Sequence, residues 1–242
     1  MRDDTTVLLA GIMHNLNNYI QTIIGNAALG MNSSTGCDTK NHFKVILATA
    51  DRCGETIKQI MAIMLSGKRD AVPVDARAVV SEVIDIFEPV AENIIRISYS
   101  CEDVPGVYGN ESDISQILLN LLFNARDSIN DNGEIAIGVY HANLDFIINK
   151  GRDNSMDYVC ISVRDNGPGI PENIRENLFT EVRSTKKEKA HSGIGLVVSQ
   201  LLAERYGGWI ECAHTDHTGT EFVVYLQVCY DGIVNKELEV SA

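Results

Sequence analysis

Three polar side chains, Asn120, Asn124 and Asp127, recur at i, i+4 and i+7 within residues 112–130. Another face of the same segment carries the apolar stripe Ile114, Ile117, Leu118, Leu121, Leu122, Ala125 and Ile129. Asparagine is a mediocre helix residue because its amide competes for backbone hydrogen bonds, so two in register inside an apolar helix call for compensation. An amide oxygen can ligate a hard cation such as Mg²⁺ while an amide nitrogen donates to phosphate, which suits a metal shared with a triphosphate. A solvated polar face is the plain alternative when the helix is taken alone.

Two further elements follow. Asp165-Asn166-Gly167-Pro168-Gly169-Ile170 comes directly after an apolar strand-like run, and Gly and Pro at those spacings make a tight turn where backbone approaches a ligand closely. A carboxylate there can accept from an exocyclic amine of the kind adenine presents, although an ordinary turn is the default reading. Ser192-Gly193-Ile194-Gly195-Leu196 then opens a helix whose N-terminal amides favour an anion such as phosphate. Each element is weak alone; the three in this order within one domain are strong.

The elements that must position them divide the chain. Apolar residues at helical spacing run from Val7 to Ala27 and again from Phe43 to Leu65, around a polar break at Asn32-Ser33-Ser34-Thr35-Gly36. That pattern predicts an antiparallel helical hairpin, which buries too little by itself and gains a core by pairing with a second copy into a four-helix bundle. Ser66 to Asp70 is polar and breaks the period. The expected domains are therefore 1–68, a helical hairpin, and 74–230, a mixed α/β domain, with 231–242 as a tail. In the second domain helices are predicted at 75–92, 112–130 and 193–206, and strands at 94–100, 134–141, 158–164, 208–213 and 220–228. The fold class is α+β: the hairpin followed by a sandwich of one sheet with helices on one face.

Composition bounds the partners. Twenty Lys and Arg against 33 Asp and Glu give a formal net charge of −13, which repels nucleic-acid backbones and anionic lipid. No stretch approaches the roughly 20 apolar residues of a membrane span. The six scattered cysteines form no C-x-x-C pair and read as reduced thiols of a cytoplasmic protein.

With these residues in view, the chain resembles the GHKL superfamily and, within it, the sensor histidine kinases, from about residue 74 to 228. Gln116 to Ala125 resembles the family's N box, Asp165 to Gly169 its first glycine box, Ser192 to Leu196 its second and Gly219-Thr220-Glu221-Phe222 its third. Leu178-Phe179 and Ser184-Thr185-Lys186 resemble the ends of the F box, whose middle departs from the family at Thr180, Glu181, Val182 and Arg183. The resemblance implies a Bergerat-type pocket for ATP with Asn124 on Mg²⁺ and Asp165 on adenine. Asn120, Asp127, Gly167, Gly169, Gly193, Gly195 and Thr220 line it, Lys186 contacts the terminal phosphates, and residues of about 171–192 form a mobile lid.

Gyrase-like and chaperone-like members activate water with a glutamate four residues before the Mg²⁺-binding asparagine. Asn120 stands there and cannot act as a base, so transfer to a protein nucleophile is favoured over hydrolysis. His14, in Gly11-Ile12-Met13-His14-Asn15-Leu16, resembles the H-box phospho-acceptor; a lone histidine in an apolar stripe is otherwise usually structural. Asn15 replaces the usual acid after the histidine: its amide can fix the tautomer but cannot accept a proton. Tyr19 replaces a common proline, and Asn18, one turn after His14, occupies the position that in the family can place water for dephosphorylating a receiver domain.

The expectation is a homodimeric kinase that autophosphorylates His14 and passes phosphate to an aspartate on a response regulator. A scaffold or phosphatase with weak or no kinase activity is the alternative that Asn15 keeps open, and an ATP-driven clamp is disfavoured by Asn120. His214-Thr215-Asp216-His217 has metal-like spacing but reads as a hairpin turn, and residues 142–156 read as an insertion.

Overall fold

The computed structural model describes residues 2–32, 36–65, 71–91, 95–129, 133–143, 156–175, 178–179 and 195–230. The chain divides into two compact units, one comprising Met1–Gly67 with Asn177–Val197, the other Lys68–Glu176 with Val198–Ala242.

In the first unit the two long apolar patterns form α1 (Arg2–Asn32) and α2 (Gly36–Leu65), which pack against each other. His42 Nδ1 meets Asn26 Oδ1 across the pair at 3.1 Å, and Gly30 packs beside His42. Thr49 is buried and donates back to the Val45 carbonyl at 2.7 Å, a bond that satisfies a hydroxyl inside a helix. Ile20, Ile24, Phe43 and Leu47 remain 46%, 55%, 59% and 65% exposed, more apolar surface than an isolated hairpin hides. No helix among the described residues is long and apolar enough to cross a membrane.

The second unit is built on a five-stranded sheet. Its strands are β2 (Ile95–Cys101), β4 (Gly133–His141), β5 (Tyr158–Asp165), β6 (Trp209–Asp216) and β7 (Gly219–Gln227), in the order β2-β4-β5-β7-β6. Only the β2–β4 pairing is parallel, so the sheet is mixed. Two short strands, β1 (Val72–Val74) and β3 (Val107–Gly109), pair antiparallel beside it. Alternation along the strands sends Ile135, Ile137, Val139, Val159, Ile161 and Val163 to one face. There α3 (Ala76–Phe87) and α4 (Glu111–Ser128) cover them, with Val80, Val83, Leu118 and Leu122 meeting Ile137 and Val163. Each helix starts on a capping side chain: Asp75 accepts from Arg77 N at 3.0 Å and Asn110 from Ser112 N at 3.1 Å.

The other face carries an aromatic cluster in which Trp209 stacks on Tyr225 at 4.4 Å and meets Tyr158 edge-on at 4.9 Å. Cys160 lies within it, its thiol pKa pushed up to about 12 by burial. The five described cysteines are free.

The observed elements depart from the predicted ones for identifiable reasons. Pro89 has no N–H to continue the helix predicted to residue 92, and the chain turns as a 3₁₀ segment over Glu88–Ala91. β6 runs to Asp216 rather than 213 because an irregularity between Cys212 and His214 absorbs the break in alternation. The polar break at 66–70, most of the insertion at 142–156 and the tail at 231–242 lie outside the described residues.

Candidate functional site

The register of the sheet places Asp165 at the last position of β5, opposite Ile135 on β4 and Thr220 on β7. The carboxylate is therefore on the helix-covered face, 5% exposed, at the edge of the core. A buried carboxylate must be hydrogen-bonded. Its Oδ1 accepts from Gly167 N at 2.7 Å and from Ser128 Oγ, the last residue of α4, at 3.1 Å. Asn166 anchors the turn to β4 by donating its N–H to the Glu134 carbonyl at 3.2 Å and accepting Glu134 N on its side chain at 2.9 Å.

The glycines around Asp165 are required by close backbone approach. Gly169 has φ 79, and a Cβ there would sit 2.0 Å from the Asp216 carbonyl oxygen of β6. Gly219 has φ 145, and a Cβ on it would sit 1.9 Å from the Asp165 carbonyl oxygen. Thr220, buried beside Asp165, lies 3.2 Å from Thr215 Oγ1, which in turn accepts from Ile170 N at 2.8 Å. Asp165, Gly167, Gly169 and Thr220 are thus gathered at one end of β5 and β7.

On α4, Asn120 is 7% exposed, and its amide is engaged at both ends. Oδ1 accepts from Gln116 Nε2 at 3.0 Å, and Nδ2 donates to Ser199 Oγ at 3.0 Å. Ser199 is wholly buried on α6 (Gly195–Arg205), a helix that follows the four-residue α5 (Glu172–Arg175). Asn124, one turn on from Asn120, is half-buried. Asp127 is half-buried too and pairs with Arg126 at 3.0 Å, while the Arg126 guanidinium lies 4.9 Å over the Phe123 ring. Gly195 opens α6; Gly193 and Lys186 lie outside the described residues. Position 14 falls within α1, and the side chains of His14 and Asn15 lie outside those described. Asn18 is exposed, its carbonyl accepting from Thr22 Oγ1 at 2.9 Å.

The metal-like run at 214–217 resolves into a strand end and a turn. The Asp216 carboxylate accepts from Thr218 Oγ1 and N, bonds that hold its pKa at about 2, and His214 Nε2 lies 3.3 Å from it. Among the described residues no three His, Cys, Asp or Glu side chains converge as a metal site. Sequence reasoning passed over Ser128, Ser199 and Thr215. The one available signal was a serine interrupting an apolar run, as Ser199 does in Val197-Val198-Ser199-Gln200-Leu201-Leu202.

A mixed sheet backed by helices, with a buried acid at a strand end between glycine turns, defines an α/β sandwich. The chain belongs to the family described as histidine kinase-, DNA gyrase B-, and HSP90-like ATPase, whose sequence pattern matches residues 109–229. The sensor histidine kinase ZraS of Escherichia coli O157:H7 is 25% identical over 224 residues, covering 91% of this chain and 46% of ZraS. The sensory histidine kinase/phosphatase NtrB of Rhizobium meliloti (strain 1021) is 27% identical over 225 residues, covering 91% of this chain and 58% of NtrB. The chain thus spans about half the length of the curated relatives it matches. Among solved structures, histidine kinase ThkA in complex with response regulator protein TrrA shares the fold with a TM-score of 0.67 and 20% identity, over 94% of this chain and 64% of that one.

Gly169→Ala tests the backbone argument. It places a methyl against the Asp216 carbonyl and asks an L-residue for a left-handed conformation, a strain of about 1–3 kcal/mol. The expected outcome is a lower denaturant midpoint with an unchanged slope; a midpoint equal to wild type would contradict the close approach.

Proposed function

We propose that the chain is the core of a two-component sensor histidine kinase, which takes the terminal phosphate of ATP onto His14 and passes it to an aspartate of a response regulator. The observation that carries this reading is the Asp165 carboxylate, pinned by Ser128 and Gly167 in one row with Thr220. Family membership supports it, and so do the similarity to the sensor histidine kinases ZraS and NtrB and the response regulator bound to ThkA.

In this reading Asp165 accepts the adenine amine, Thr220 stands beside it, and Gly167 and Gly169 let the backbone come close. The Asn124 amide oxygen is a hard donor of the kind Mg²⁺ takes, and Asn120 and Asp127 share its helix. When bound, Mg²⁺ neutralises phosphate charge. Lys186 and the amides at Gly193 and Gly195 serve the phosphates. A neutral His14 imidazole forms the new N–P bond as the bond from the γ-phosphorus to the ADP oxygen breaks, and the ring proton then leaves to solvent, because Asn15 cannot take it. Exposed Ile20, Ile24, Phe43 and Leu47 support dimerisation through the hairpin, whose second copy would cover them. The charge of −13 argues against nucleic acid as a partner, and the five described cysteines, all free, fit a cytoplasmic setting.

The decisive experiment is labelling with γ-³²P-ATP. Wild type should gain acid-labile, base-stable label and His14→Gln none; label of any other stability, or label that survives in His14→Gln, would sink the assignment. Since a positioned general acid or base contributes about 10²–10⁴ in rate, Asn15→Asp should speed the time course within that range. No gain would show that position 15 has no proton-transfer role. Asn18→Ala should leave autophosphorylation largely intact and slow the loss of phosphate from a phosphorylated receiver domain, and an unaltered rate of loss would remove Asn18 from that step.

A further inference from the structure

Ser128 is the point at which α4 touches the first glycine box. Its Oγ lies 2.7 Å from the Ala125 carbonyl and 3.1 Å from Asp165 Oδ1, so one hydroxyl proton serves a backbone acceptor in its own last turn and a carboxylate on β5. The same hydroxyl explains Gly167. That glycine is not among the positive-φ residues, so backbone conformation does not demand it; a Cβ on it would fall 2.4 Å from Ser128 Oγ. The side-chain space at position 167 is taken by the serine and by Asp165 Oδ1, which a Cβ there would approach to 2.8 Å.

The Gly167 N–H alone leaves the carboxylate one anchor from its own turn. A second donor from a different element, aimed at the same oxygen, narrows the rotation left to the group, and a hydrogen bond to a charged acceptor is stronger than one to a neutral acceptor. An acceptor whose rotation is narrowed discriminates by what the ligand presents: an amine aligned with it gains a hydrogen bond, and a ring lacking that amine leaves a buried acceptor unsatisfied.

We propose that Ser128 is a positioning residue for base recognition, holding Asp165 in the orientation that selects a purine bearing an exocyclic amine. The proposal rests on the assignment of Asp165 to adenine, and its test separates the two. Calorimetric titration of the full 242-residue chain would compare ADP with purine riboside diphosphate, which has the same ring and phosphates without the amine. Wild type should prefer ADP. In Ser128→Ala the affinity for ADP should fall on the order of tenfold while that for purine riboside diphosphate changes less than about twofold, so that the preference collapses.

Equal loss for both ligands would make Ser128 a structural residue only and overturn the proposal, as would an unchanged preference. Should Ser128→Ala fail to fold, Ser128→Cys carries the same comparison, because a thiol is close in size but a weak donor. In an Asp165→Asn background the Ser128 change should have no further effect on the preference, and an additional loss there would place the serine's influence elsewhere. A wild type that binds ADP and purine riboside diphosphate equally would instead strike the role given to Asp165 itself.

Discussion

The carboxylate of Asp165, at 5% exposure, needs donors aimed at it at the end of β5, and the residues around it follow from supplying them. Gly167 turns its N–H back to Oδ1, and Ser128 reaches the same oxygen from the end of α4. Bringing those donors in requires three chain segments to pass within a hydrogen-bond length of one another. The glycines mark the crossings: 167 yields to the serine hydroxyl, 169 to the Asp216 carbonyl and 219 to the Asp165 carbonyl. A spacing that reads in the sequence as a motif is, in space, a record of which neighbour occupies each missing side chain.

The helix that provides Ser128 is itself held by buried polar contacts. Near its start, Asp113 is 4% exposed and accepts on Oδ2 from Arg205 at 3.1 Å and from the Tyr206 hydroxyl at 2.7 Å. Burial, and after it the bond to that carboxylate, holds the Tyr206 pKa above its ordinary value. In its middle Asn120 bonds Ser199, and at its end Ser128 bonds Asp165. The apolar stripe of α4 sets its distance from the sheet, but apolar packing is non-directional and tolerates rotation. The three polar contacts fix rotation and register, which a site built from side chains at i, i+4 and i+7 depends on. Gln200 extends the seam, accepting Ile210 N at 2.8 Å and so tying α6 to β6.

This division explains what could be read from the sequence. Periodicity exposed α1 to α4 and the long strands, because each buries a continuous stripe, and Asp165 stood out as an acid closing an apolar strand. β1 and β3 were invisible because three residues carry no alternation to detect. The Cys212–His214 irregularity hid the second half of β6, and Pro89 shortened a helix that its apolar pattern would have continued. Ser128 was illegible for a different reason: it is an unremarkable serine until its partner, 37 positions away, is brought beside it, and Ser199, marked only by its place in an apolar run, meets its partner across 79 positions.

In the proposed reaction two amides stand where acids occur elsewhere in the superfamily, Asn120 where gyrase-like and chaperone-like members have a glutamate and Asn15 where sensor histidine kinases have an acid, and the physics differs between them. Asn120 is clamped from both sides, accepting from Gln116 and donating to Ser199, so its amide is part of the α4–α6 seam and is not poised to take a proton from water. Asn15 follows the nucleophile. A neutral imidazole already carries a lone pair on one ring nitrogen, so an acid at position 15 is needed to remove a proton only as the N–P bond forms. In the proposed reaction an amide there would slow transfer without abolishing the nucleophile, whereas an amide at position 120 would withhold the base that hydrolysis needs. The first substitution would lower the rate of phosphate transfer and the second would suppress the competing hydrolysis.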